Sequence, residues 1–136
     1  MNHTSWERIC PTNLLVERAE RMAADEVRVT DPVTGGQKGR KWARFDLIRP
    51  EAIWAVAEVY GKGCEKYDDR NWEKGYKWGL SVASLLRHLY QWLQGESYDQ
   101  ETHAHHLACV AWHAFALFTF ELRGLGTDDC RIDKAV

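Results

Sequence analysis

Apolar residues recur with the helical period in several stretches of the chain, and glycine, proline and charge separate them. Leu85, Leu86, Leu89, Trp92 and Leu93 mark one face of a helix predicted over residues 81–94. Gly95 follows it and suits the left-handed residue that closes a helix. Residues 105–123 carry Leu107, Val110, Ala111, Ala114, Phe115, Leu117, Phe118 and Leu122, apolar on most sides, which predicts a central, buried helix ended by Gly124 and Gly126. Ile53, Trp54, Ala57 and Tyr60 predict a helix over residues 51–60, with Pro50 at its first position and Glu51 in its first turn. Leu14, Leu15, Ala19 and Met22 share a face over residues 13–24, where Glu17 and Arg21 form a favourable pair one turn apart. Pro32 and the Gly35–Gly36 pair argue against regular structure between these helices. No alternation of useful strand length is visible. The pattern predicts an all-α fold, a single domain over residues 1–136 with about four main helices.

A chain of 136 residues can bury one sizeable core. Its formal charge of -2 gives no global basic field, so nucleic acid is not an expected partner. Cys10, Cys64, Cys109 and Cys130 form no CxxC pair, which argues against a zinc knuckle or a thioredoxin-like site. No apolar run has membrane-spanning length, and the start, MNHTSWER, is polar and unlike a signal peptide. A soluble, reducing, cytoplasmic setting without membrane contact is expected.

Candidate chemistry concentrates where residues 81–94 turn into residues 105–123. Glu96, Asp99 and Glu101 lie in the intervening loop, with Thr102 a candidate cap for the next helix. His106, Cys109 and His113 follow at helical steps on one face, and Arg87 and His88 precede the loop. If the two helices pack antiparallel, carboxylates, imidazoles and an arginine converge at one end of the pair. That mixture suits a hard divalent cation together with a phosphorylated ligand. Residues 64–78, CEKYDDRNWEKGYKW, add Lys66 and Arg70 for phosphate, Asn71 for a base edge, and Tyr67 and Trp72 for stacking. Residues 30–44, TDPVTGGQKGRKWAR, read as a glycine-rich basic loop that includes Lys38. It lacks the order of a Walker loop.

The runs TGGQKGRKWARFDLI, VYGKGCEKYDDRNWEKGYKW, LLRHLYQWLQGE and DQETHAHHLACVAWH together resemble the phage dATP/dGTP diphosphohydrolase family, over about residues 30–123. The resemblance implies a MazG-like, MazZ-like all-α architecture. It also implies cleavage of dGTP or dATP to the monophosphate and pyrophosphate with Mg²⁺ or Mn²⁺, in the host cell cytoplasm and in a dimer or tetramer. In some phages this activity supplies dGMP for a genome carrying 2-aminoadenine. Carried over by motif, KYxxRNW falls on Lys66, Tyr67, Arg70, Asn71 and Trp72, and RHL on Arg87, His88 and Leu89. GExxDxET falls on Gly95, Glu96, Asp99, Glu101 and Thr102, and the HL pair on His106 and Leu107.

The resulting expectations are His88 and Glu101 as catalytic groups and Glu96, Asp99, Glu101 and His106 as metal ligands. Lys38, Lys66, Tyr67, Arg70, Asn71, Trp72 and Arg87 are expected to bind substrate. Two departures are visible: His103 stands where the family motif is expected to have Gly, and the wider MazG pattern of paired ExxE and ExxD helices is not evident. The alternative is a non-catalytic nucleotide- or partner-binding helical module, and an HD-type phosphohydrolase is disfavoured because no His-Asp dipeptide occurs.

Overall fold

The computed structural model describes Glu17, residues 26–63 and residues 65–132. The chain divides into two compact units, Met1–Ile48 and Arg49–Val136. The helix expected over residues 13–24 lies outside the described residues, Glu17 excepted.

In the first unit the expectation of a purely helical chain with an irregular basic loop is corrected. Strands β1 (Val27–Thr30) and β2 (Gln37–Arg40) form an antiparallel hairpin, pairing Val27 with Arg40 and Thr30 with Gln37. Asp31 builds the turn: its Oδ1 accepts from the amides of Val33 and Thr34, both at 2.8 Å, and Gly35 takes φ +75°. Strands of four residues are too short to show a convincing alternation, so turn chemistry rather than side-chain period makes this element. Lys38 sits on β2. A 3-10 turn, Phe45–Leu47, follows.

The second unit contains α1 (Pro50–Gly63), α2 (Trp78–Leu93) and α3 (His106–Arg123), with a 3-10 turn at Asn71–Lys74. Both α1 and α2 pack on α3. His88 meets His106, Ser81 meets His113, and Trp78 meets Leu125, so α2 and α3 run antiparallel. The buried core is Trp78, Ala116 and Phe120, with Trp72, Tyr76 and Trp112 packed against it. Helix α3 is not buried on all sides, as its sequence suggests. Among the described residues α1 and α2 are the α-helices packed on it, and its Leu107, Phe115 and Phe118 are exposed. Thr102 does not cap α3 either; the N-cap is His105, whose own Nδ1 accepts from the Leu107 amide at 3.0 Å.

The far end is held by contacts distant in sequence. Asp129 Oδ1 accepts the Gly79 amide at 2.8 Å, satisfying the start of α2, and Trp78 Nε1 donates to the Leu125 carbonyl at 2.8 Å. Gly75 and Gly126, at φ +80° and +70°, let the chain segments on either side touch backbone to backbone. Among the described residues, no helix is long and apolar enough to cross a membrane.

Candidate active site

A cavity of about 920 Å³ opens in the second unit between α1, the 65–76 segment, α2 and α3. Its wall changes character along its length. Tyr60, Trp72 and Trp112 form an aromatic cluster with ring centroids 5.7–6.3 Å apart. His113 lies edge-on to Trp112 at 4.8 Å and stacked with His88 at 6.2 Å, so it joins the aromatic end to a polar end.

At the polar end His88 lies on the wall and the buried His106 lies behind it. His88 Nδ1 and His106 Nδ1 are 2.8 Å apart, the Arg87 guanidinium is 3.2 Å from His88 Nε2, and His106 Nε2 is 2.9 Å from Glu96 Oε1. One proton arrangement satisfies every contact. The Glu96 carboxylate accepts, so His106 carries its proton on Nε2 and leaves Nδ1 bare. His88 then donates from Nδ1, and its Nε2 accepts from Arg87. Both rings are neutral in this arrangement. Burial, then the nearby Arg87 and His106, lower the His88 pKa below the ordinary imidazole value. Burial also pushes His113 down to about 4, with His88 and Arg87 adding to the effect. Ser81, almost wholly buried, fixes the His113 ring: its Oγ lies 3.0 Å from His113 Nδ1 and 2.6 Å from the Tyr76 hydroxyl.

Asp99 lies beside the imidazole pair. Burial pushes its carboxyl pKa up, but hydrogen bonds from the Thr102 hydroxyl at 2.7 Å and amide at 2.9 Å outweigh burial and hold it below the usual carboxylate range. The loop that carries it is tight, with the Asp99 amide donating to the Ala104 carbonyl and the His103 amide to the Asp99 carbonyl, both at 2.8 Å. His103 has φ +61°, a left-handed conformation that glycine adopts without strain. That geometry explains why a glycine is expected at this place in the motif.

The remaining predicted residues are spread around this cluster. Glu101 is exposed at the mouth, 3.5 Å from Lys66, and does not join Asp99. Glu96 reaches His106 from the side away from His88 and is not part of the cavity wall. The three loop carboxylates thus point different ways: Asp99 to Thr102, Glu101 to Lys66 and Glu96 to His106. Arg70 takes φ +60° and pairs with Glu73 at 3.0 Å, while Trp72 is spent largely on the aromatic core. Tyr67 is 61% exposed at the rim, and Asn71 lines the wall. Arg87 reaches Gln91 at 3.1 Å as well as His88. Lys38 belongs to the first unit. Sequence reading missed Lys62, which lines the cavity and donates to the Thr102 carbonyl, and assigned no role to Ser81. The i,i+7 spacing of Ser81 and His88 and of His106 and His113 places each pair on one helix face, which was the available signal.

A family model described as dATP/dGTP diphosphohydrolase, N-terminal, matches residues 32–130. The chain belongs to this family. No curated protein and no solved structure matches the chain. The family match spans the whole cavity-bearing helical pair and the acidic loop, and it indicates a diphosphohydrolase acting on small nucleotides.

The donor chemistry of the polar cluster fits a divalent cation. His88, Asp99 and His106 offer two imidazole nitrogens and a carboxylate oxygen within 4.8 Å of one another. This mixed set suits Mn²⁺ better than Mg²⁺, which favours oxygen alone. Glu96 behind His106 supplies the carboxylate–imidazole support commonly found behind a metal-binding histidine.

Proposed function

We propose that the protein hydrolyses deoxypurine nucleoside triphosphates, dGTP and dATP, to the monophosphate and pyrophosphate. The observation that carries this reading is one cavity with an aromatic end and a polar end, in a chain of this family. An aromatic wall suits a base, and a cluster of imidazole, carboxylate and basic groups suits a triphosphate.

In this reading His88, Asp99 and His106 hold Mn²⁺ or Mg²⁺, and Glu96 orients His106. A cation held there would supply charge neutralisation for the phosphoryl group and activation of water. For His88 Nδ1 to serve as a ligand, its proton would have to move to Nε2, with the Arg87 guanidinium turning away from that atom. Lys62, Lys66 and Arg87 line the same cavity and place positive charge along the phosphates. Glu101, 3.5 Å from Lys66 at the mouth, restrains that lysine and yields it when the triphosphate enters. Thr102 holds the Asp99 carboxylate ionised. The exposed apolar side chains of α2 and α3, such as Leu86, Tyr90 and Phe118, support assembly as a homo-oligomer, a dimer or tetramer. A supply of dGMP for 2-aminoadenine DNA, in the cytoplasm of an infected cell, is the biological role consistent with this chemistry.

The test is to follow pyrophosphate release from dGTP and dATP with Mn²⁺, Mg²⁺ or excess chelator, for the wild type and Asp99→Asn. The reading expects release that needs the cation and falls at least about a hundredfold in the variant. Undiminished release in chelator removes the metal from the account. Tight nucleotide binding without any release favours the non-catalytic module.

A further inference from the structure

The cavity wall contains one carboxamide, that of Asn71. Asn71 is half-buried and lines the cavity, yet its carboxamide makes no hydrogen bond among the described residues. The cationic side chains around it are all engaged: Lys62 with Thr102, Lys66 with Glu101 and Arg70 with Glu73. The Asn71 carboxamide can both donate to and accept from a ligand in the cavity. Its position is also enforced. Arg70, immediately before it, takes φ +60°, a conformation costly for a non-glycine residue, and the 3-10 turn Asn71–Lys74 begins there. The next residue, Trp72, anchors the turn in the aromatic cluster with Tyr60 and Trp112. Asn71 thus lines the cavity one residue before a member of the aromatic cluster.

We propose that Asn71 is the purine-reading residue, donating its amide N–H to N7 of the base. The proposal rests on the reading of this cavity as a nucleotide site and goes beyond it by naming the atom recognised. N7 is an acceptor in both adenine and guanine and has no counterpart in a pyrimidine ring. A single donor aimed at it accepts both purines and rejects both pyrimidines. The neighbouring exocyclic group separates the two purines. The Asn71 carbonyl accepts from the adenine N6 amino group, whereas guanine presents O6, a second acceptor, at the same place. Asn71 thus admits both purines, reading N7 with the N6 amino group in adenine and N7 alone in guanine.

Isothermal titration of the intact protein with dAMP, 7-deaza-dAMP, dGMP and 7-deaza-dGMP tests this without turnover. Replacing N7 by C–H removes the acceptor and leaves ring shape and stacking area intact. In the wild type each 7-deaza nucleotide is expected to bind roughly tenfold more weakly than its parent, the effect of one lost hydrogen bond. Asn71→Ala and Asn71→Asp both lack the donor, and each is expected to bind parent and 7-deaza forms equally. Equal binding of the two forms by the wild type overturns the proposal. So does discrimination that survives in Asn71→Ala, or absence of measurable dAMP and dGMP binding. Hydrolysis assays on the same samples separate the two claims. Discrimination without hydrolysis sinks the diphosphohydrolase reading alone, and hydrolysis without discrimination sinks the role of Asn71 alone.

Discussion

Replacing Glu96 by alanine tests how the histidine pair is held. His106 is fully buried, and its Nε2 has the Glu96 carboxylate at 2.9 Å as its partner. Removing the carboxylate leaves a buried N–H donor unsatisfied, which costs about 1–3 kcal/mol. The ring cannot escape by moving its proton to Nδ1, because His88 already donates to that atom across 2.8 Å. Shifting the His88 proton in turn to Nε2 sets it against the Arg87 guanidinium at 3.2 Å. Each adjustment moves the fault one link along rather than removing it. The Glu96 side chain is 34% exposed, so water reaches the vacated place and keeps the loss near 2 kcal/mol rather than the upper limit. For a unit the size of Arg49–Val136 this lowers the melting temperature by about 8–16 °C. Glu96→Gln keeps an acceptor oxygen and is expected to stay within about 1 kcal/mol of the wild type. With His106 no longer oriented, Mn²⁺ affinity falls about 10–100-fold in the alanine variant. Calorimetric melting and Mn²⁺ titration on the three proteins provide the assay. Equal melting temperatures and equal Mn²⁺ affinities for alanine, glutamine and wild type would refute the proton arrangement.

Glu101→Gln breaks only an exposed pair with Lys66, so stability should change by less than about 0.5 kcal/mol, while the KM for dGTP changes more than kcat; a collapse of kcat would place Glu101 among the reacting groups. The metal-free protein should lose stability as pH falls from 6.5 toward 4. His113 is depressed to about 4 in the fold, so between these values the unfolded chain binds the extra proton; a melting temperature constant over that window would contradict the burial argument. Gly75→Ala should cost at least about 2 kcal/mol, because φ is +80° and a Cβ would overlap the Gly126 backbone; denaturant titration checks it, and a neutral result would mean the two segments separate easily.

The helical part of the fold was legible because α2 and α3 carry long periodic apolar faces, and their ends fall within three residues of those expected. The hairpin was not, since Val27–Thr30 and Gln37–Arg40 are held by an Asp31 turn and backbone pairing rather than by a buried face. In the site, the clustering of His88, His106 and Asp99 followed from helix pairing and motif together. The divergence of Glu96, Asp99 and Glu101 did not, because closeness in sequence says nothing of which carboxylate a tight loop turns inward. Thr102 decides that here by binding Asp99. The role of Ser81 was hidden for a different reason: a serine in an apolar helix acquires meaning only when His113 and Tyr76 are seen against it.

The bond at which the triphosphate breaks defines the proposed reaction. Ion chromatography of a reaction of the protein with dGTP and Mn²⁺ resolves every product. Cleavage between the α and β phosphoryl groups gives dGMP and pyrophosphate in equal amounts, with no free phosphate, and this is the result expected. Deoxyguanosine with tripolyphosphate, or dGDP with phosphate, would contradict it.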